Sequence, residues 1–211
     1  YESTVTPNED GSFTVENLRV GIVEVSGEKT WLDDGTGRPE SITVNLLRNG
    51  EFDRSMEVMD VEGLWSFSFT ELPEFDNMGI PYTYTIEEEA VAGYASTIKM
   101  NEDGSYTVEN LRTGIVSVSG MKTWLDNGTR SVESITVNLL RNGVEVDEKA
   151  VVLGENGEAS FTFGNLPEFD EKGIAYTYTI TEDPVDGYTT KITETRDNYF
   201  EIENLRIGFV D

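Results

Sequence analysis

The stretch "VSGEKTW", Val25–Trp31, decides how this chain is read. Val23, Val25, Gly27, Lys29 and Trp31 share one parity, and alternate side chains of a β-strand point to the same face. That face carries valine and tryptophan, so it reads as the core face. Lysine is among the residues least often fully buried. The oddity recurs at "VSGMKTW", where Val116, Val118, Gly120, Lys122 and Trp124 share a parity. Two lysines misplaced in the same way need a common cause.

The recurrence is part of a repeat. "SITVNLLRNG" occurs at Ser41–Gly50 and at Ser134–Gly143, "LPEFD" at Leu72 and Leu166, and "YTYTI" at Tyr82 and Tyr176. The offset is 93 residues for the first motif and 94 for the other two, which places a one-residue insertion between Gly143 and Phe161. This gives two units, 20–112 and 113–211. Residues 1–19 belong to neither. "NEDGSFTVENLR" from Asn8 parallels "NEDGSYTVENLR" from Asn101, so this segment reads as the closing hairpin of a preceding repeat. The abrupt start at Tyr1 is in keeping with a piece of something longer. The junctions "RVGIVEVSG" and "RTGIVSVSG" are short and poor in Pro and Ser, which predicts closely coupled neighbours.

Each unit reads as all-β. Alternating apolar stretches of about five to eight residues, rich in β-branched and aromatic types, are separated by turn signals. In the first unit the strands fall near 22–31, 41–48, 51–59, 64–70, 81–88, 94–100 and 105–111. Asn49-Gly50, Asn142-Gly143 and Asp103-Gly104 are hairpin turn pairs. Seven short strands per unit predict tandem immunoglobulin-like two-sheet sandwiches.

Composition narrows the chemistry. The 211 residues carry 15 basic and 41 acidic side chains, a net charge of −26. That charge repels nucleic acid and anionic membranes and suits a soluble, self-repelling monomer. Cysteine and histidine are absent. Disulfides, Ser-His-Asp triads and histidine-ligated metals are therefore impossible within this chain. No apolar run approaches the roughly 18 residues of a membrane-spanning helix. No cofactor or metal is expected. The loops "WLDDGTGRP" and "WLDNGTR" lack the spacing of a calcium-binding EF-hand loop and read as solvated turns. Trp31, Trp65 and Trp124 read as core or rim residues of the sandwich.

Parity applied to the other strands finds two further misplaced polar residues per unit. Tyr82, Tyr84, Ile86 and Glu88 share a face, as do Tyr176, Tyr178, Ile180 and Glu182. Tyr106, Val108 and Asn110 share a face, as do Phe200, Ile202 and Asn204. Each unit thus points one Lys, one Glu and one Asn inward. Burying an amide without partners costs roughly 2–7 kcal/mol, and an isolated charge costs far more. One reconciliation is a buried Lys–Glu ion pair with Asn as hydrogen-bond partner, although desolvation often cancels such attraction. The other is covalent. A desolvated lysine becomes a neutral nucleophile, and a carboxyl group kept protonated by burial can polarise the Asn carbonyl and shuttle protons. The lysine then attacks, ammonia leaves, and no buried ammonium remains.

The residues "KTW…D", "RPESITVNLLRNG", "YTxxE…GY" and "VENL" resemble the CnaB-type domain, the B-repeat of collagen adhesins of Gram-positive surface proteins. The resemblance covers both units. It implies an inverse immunoglobulin-like (prealbumin-like) fold with a self-formed Lys–Asn isopeptide bond promoted by a buried Glu. It implies Lys29, Glu88 and Asn110 in the first unit, and Lys122, Glu182 and Asn204 in the second. The closing sequences "VEN" and "IEN" depart from the "ITN" frequent in the family. The resemblance further implies a stalk on an extracellular, wall-anchored protein, with neighbouring repeats as partners and any host ligand met by other domains. A turnover enzyme is not expected. A ligand-binding module and a pilus shaft subunit are the alternative functions. Asn17 holds the equivalent place in the orphan hairpin. Lys29 lies too near in sequence to pair with it in parallel, so Asn17 is expected unreacted, with its hairpin frayed, packed on the first unit or paired elsewhere.

Overall fold

The computed structural model describes residues 1–128 and 132–208 and places the chain in two compact units, Tyr1–Arg112 and Thr113–Asp211. Thr129 and Arg130 of the second "WLDNGTR" loop lie outside the described residues. Among the described residues all regular structure is β. Among the described residues no helix is long and apolar enough to cross a membrane.

The first unit opens with the hairpin β1 (Glu2–Pro7) and β2 (Phe13–Leu18), a sheet of its own. Seven strands come after it: β3 (Ile22–Leu32), β4 (Ser41–Arg48), β5 (Glu51–Met59), β6 (Trp65–Pro73), β7 (Tyr84–Glu88), β8 (Tyr94–Met100) and β9 (Tyr106–Arg112). They form one sheet ordered β6-β3-β9-β8 and another ordered β5-β4-β7. The second unit repeats this plan with β10 (Ile115–Leu125), β11 (Ser134–Arg141), β12 (Val144–Val152), β13 (Ala159–Pro167), β14 (Tyr178–Glu182), β15 (Tyr188–Arg196) and β16 (Tyr199–Arg206). Its sheets are β13-β10-β16-β15 and β12-β11-β14. This is the all-β immunoglobulin-like arrangement expected from the sequence. Two boundaries shift by more than one residue: the strand read as 81–88 begins at Tyr84, and the one read as 64–70 runs on to Pro73. Tyr82 is drawn off the ladder because its amide donates to the Glu74 carbonyl at 2.9 Å.

Alternation builds the cores. Val25, Val44, Leu46, Val58, Phe67, Phe69, Leu72, Ile86 and Val108 are buried together in the first unit. Val118, Val137, Leu139, Phe161, Phe163, Ile180, Phe200 and Ile202 do the same in the second. The β4–β5 turn has φ 54° at Asn49 and 83° at Gly50. Positive φ at both central residues is the twist-matched turn that fixes hairpin register.

The first and last strands of each sandwich, β3 with β9 and β10 with β16, run side by side and parallel. Parallel neighbours need a long crossover, and here the crossover is the whole intervening domain. A bond between these strands would close almost the entire fold into a loop.

Candidate functional site

The parallel register sets Lys29 opposite Val108 and Trp31 opposite Asn110. The second unit sets Lys122 opposite Ile202 and Trp124 opposite Asn204. Lysine and asparagine therefore sit two residues apart on adjacent strands, both facing the interior. The glutamate comes from the opposing sheet, where Glu88 pairs with Val44 and Glu182 with Val137. Three elements distant in sequence thus converge on one point in each core.

All three groups are removed from water. Lys29 is 5% exposed, while Asn110, Lys122 and Asn204 are fully buried. The Glu88 and Glu182 side chains are 1% and 0% exposed. Lys29 Nζ lies 3.7 Å from Glu88 Oε1, and Lys122 Nζ lies 3.3 Å from Glu182 Oε1. Asn110 Nδ2 donates to Glu88 Oε1 at 3.1 Å. The amines also rest on tryptophan faces, 4.1 Å from the Trp31 centroid and 4.3 Å from that of Trp124, an attraction that strengthens when water is excluded.

Hydrogen bonding is nonetheless incomplete. Asn110 Oδ1, Glu88 Oε2, Lys122 Nζ, Glu182 Oε1 and both amide atoms of Asn204 are buried without a hydrogen-bond partner. Lys122 Nζ and Glu182 Oε1 still attract each other as an ion pair, but each buried amide or carboxylate atom left without a partner costs about 1–3 kcal/mol, so the cluster is costly to bury as it stands.

Burial lowers the Lys29 ammonium from 10.5 to about 8, against the opposing pull of Glu88. Lys122 is lowered to about 8 for the same reason, opposed by Glu182. About a tenth of each amine is therefore neutral at pH 7, far more than for a lysine in water. The sign for stability comes from proton counts. In a chain with Asn110→Ala and Asn204→Ala the amines remain free. Between about pH 8 and 10.5 the folded lysines then bind fewer protons than the unfolded ones. Stability rises with pH in that window, by up to about 1.4 kcal/mol per pH unit for each lysine. Adding Lys29→Met and Lys122→Met should remove this contribution. Denaturant titrations across the window check it, and identical slopes in the two variants would refute the assignment.

Sequence reading missed an anchor beside the site. The "WLDDGTGRP" loop is not simply a solvated turn. The Asp33 side chain is shut off from water and accepts from Arg38 Nη2 at 2.6 Å, from the Gly35 amide at 2.8 Å and from the Tyr94 hydroxyl at 2.9 Å. Its carboxyl is held down to about 2, chiefly by Arg38. In the second unit Asp126 is buried and accepts from the Gly128 amide at 2.8 Å and the Tyr188 hydroxyl at 3.1 Å. These aspartates pin the end of the lysine strand to the last hairpin. Parity could have found Asp33, which shares the face of Lys29 and Trp31. Among the described residues no group of three or more acidic side chains could hold a metal ion.

The model of the Cna protein B-type domain matches residues 25–111 and again 118–205. The chain belongs to the Cna protein B-type domain family. A collagen adhesin of Staphylococcus aureus is 34% identical over 202 residues, which span 91% of this chain and 16% of that protein. Among solved structures, a single B repeat unit of the S. aureus collagen-binding surface protein is 28% identical, covering 89% of this chain and all of that one, with a TM-score of 0.40. The two-repeat B1B2 structure of the same protein is also 28% identical, covering 98% of this chain and 55% of that one, with a TM-score of 0.41. The Cna B-type matches begin and end on the strands that carry Lys29 and Asn110, and Lys122 and Asn204. Cna B-type domains are structural parts of adhesins, not enzymes.

Proposed function

We propose that this chain is a pair of stalk repeats of an extracellular, wall-anchored adhesin, each repeat closed by an amide between its lysine and its asparagine. The observation that carries this reading is the buried Lys–Glu–Asn cluster bridging the first and last strands of each sandwich. Both its geometry and its unmet hydrogen bonds favour reaction.

The chemistry balances without a cofactor. A proton passes from the Lys29 ammonium to the Glu88 carboxylate, leaving a neutral amine beside a neutral acid. Turned about its Cβ–Cγ bond, the Asn110 amide presents Oδ1 to that acid, which polarises the carbonyl. Nζ attacks Cγ, the Nζ–Cγ bond forms, and the Cγ–Nδ2 bond breaks. Of the three ammonium protons, one stays on the new amide nitrogen, one completes the departing ammonia, and one remains on Glu88. Lys122, Glu182 and Asn204 take the same course. The product replaces a buried ion pair with a neutral amide. The event occurs once per domain, so the triad is a self-processing site.

Under tension, force would enter and leave each repeat through strands that are covalently joined, so the intervening domain is bypassed. The same bond prevents full unfolding and hence proteolysis, a form of kinetic stability. A chain without cysteine gains from it what a disulfide would otherwise supply. Host ligands would be met by other domains of the parent protein, with neighbouring repeats as the partners of these.

Intact mass under denaturing conditions tests the proposal. The chain is expected to be lighter than its sequence by two ammonia molecules. Glu88→Ala and Glu182→Ala should each leave one of these unreleased. A mass equal to the plain sequence would overturn the proposal.

A further inference from the structure

Asparagine followed by glycine is the dipeptide most open to backbone cyclisation, because no Cβ shields the attacking nitrogen and the glycine backbone turns freely. The chain has four such pairs: Asn49-Gly50, Asn127-Gly128, Asn142-Gly143 and Asn156-Gly157. All four asparagines are exposed and lie in turns, yet the structure does not treat them alike.

Three are clasped. The Asn49 amide donates to the Thr83 carbonyl at 2.7 Å, and its Oδ1 accepts from the Thr83 amide at 2.9 Å. Asn142 repeats this with Thr177, at 2.8 and 2.9 Å. Both also sit in two-residue turns between paired strands, β4–β5 and β11–β12, so their backbone cannot rotate without disturbing a ladder. Asn156 Nδ2 donates to Glu158 Oε2 at 2.7 Å, and its Oδ1 accepts from the Glu158 amide at 3.1 Å. Each of these carboxamides is held away from cyclisation by its own hydrogen bonds.

Asn127 differs. Among the described residues its side chain has no hydrogen-bond partner. Its turn closes no hairpin, since β10 pairs with β13 and β16. Its left-handed φ of 54° therefore has no ladder to enforce it. The Gly128 amide donates to Asp126 Oδ1 at 2.8 Å, which puts a carboxylate in place to receive the proton of the attacking nitrogen.

We propose that Asn127 is a site of spontaneous deamidation through a cyclic imide, selected from the four pairs by its unheld side chain. The Gly128 nitrogen bonds to Asn127 Cγ, the Cγ–Nδ2 bond breaks, and the Gly128 proton leaves with Nδ2 as ammonia by way of Asp126. Water then opens the imide at either carbonyl, leaving an aspartyl or an isoaspartyl residue. The aspartyl product turns "DNG" into the "DDG" of the first unit. There Asp34 Oδ1 accepts from Arg112 Nη1 at 2.8 Å and from the Thr36 amide at 3.0 Å, tying the loop to β9. Arg206 on β16 is the counterpart of Arg112, so the modified loop gains the carboxylate that the first unit carries from the start. This step is independent of the Lys–Asn cluster, although its imide also costs the chain one ammonia.

The test is incubation of the full chain in mildly alkaline buffer, folded and in denaturant, with deamidation at the four pairs followed by peptide mapping. In the folded chain Asn127 should react at least about fivefold faster than any of the other three, the factor that one net hydrogen bond of about 1 kcal/mol represents. In denaturant the four rates should converge. Asn127→Asp should abolish the fast step. Any ammonia deficit that vanishes with it is the imide and supports this inference. Deficits that persist belong to the Lys–Asn pairs, so the two readings fail separately. Equal rates in the folded chain, a faster reaction at Asn49, Asn142 or Asn156, or a lead for Asn127 that survives in denaturant overturns the inference.

Discussion

Replacing Asn110 and Asn204 together by alanine is expected to lower the melting temperature by more than about 20 °C. The size comes from the loop each bond would close. From Lys29 to Asn110 runs most of a domain, and by analogy with a disulfide closing roughly 80 residues such a link contributes about 4–5 kcal/mol. For a domain of about 100 residues each 1 kcal/mol moves the transition by about 4–8 °C. The variant also keeps a lysine and a glutamate in a dry core without their amide partner, which adds to the loss. Glu88→Gln with Glu182→Gln separates the two causes. It retains the lysines and asparagines but removes the proton carrier, so it should lose ammonia release and most of the thermal stability together. Calorimetry checks both variants. A decrease of only a few degrees would mean that the strands are not covalently joined.

The second large effect concerns Gly27 and Gly120, each two residues before its lysine on the same face. A Cβ at Gly27 would fall inside contact distance of the Tyr106 carbonyl oxygen and within 2.5 Å of Phe67 Cζ. At Gly120 it would meet the Phe200 carbonyl oxygen and, at 2.5 Å, Phe161 Cζ. Neither obstacle can give way cheaply. One is the backbone of the very strand that carries the asparagine, and the other is a ring locked in the core. Gly27→Ala should therefore push β3 from β9, cost about 1–3 kcal/mol or more by overpacking, and displace Lys29 from Asn110. We expect incomplete ammonia release by intact mass and a melting temperature at least about 10 °C lower. Gly164→Ala is the control, since its Cβ would meet Ser117 Oγ at an ordinary 3.8 Å and should change neither readout. Full release from Gly27→Ala at an unchanged melting temperature would remove Gly27 from the site.

Strand order along the chain was legible because β-sheet side chains alternate strictly, so the valines of "VSGEKTW" and the aromatic residues of "YTYTI" declare their faces without reference to anything distant. The same alternation exposed Lys29, Glu88 and Asn110 as intruders, and the repeat doubled the signal. Asp33 escaped because its loop carries glycines and a second aspartate, the ordinary marks of a solvated turn. Its burial depends on Arg38 and on Tyr94, 61 residues away. The glycines at 27 and 120 escaped for a related reason. Nothing local requires them, as neither has a positive φ. They are needed because another strand's carbonyl and a phenyl ring occupy the space a side chain would take.

By itself the sequence determined that the chain is all-β, that it repeats, that it has no thiol or imidazole chemistry, and that one lysine, one glutamate and one asparagine per unit face inward. Those properties are local or additive, set by alternation, turn residues and composition. Only the tertiary structure decided that β3 and β9 lie parallel with Trp31 opposite Asn110, that Glu88 reaches them from the other sheet, and that Phe13 and Val15 remain uncovered on β2. Register between strands some eighty residues apart depends on the packing of the whole sandwich, and a single strand carries no record of its distant neighbour.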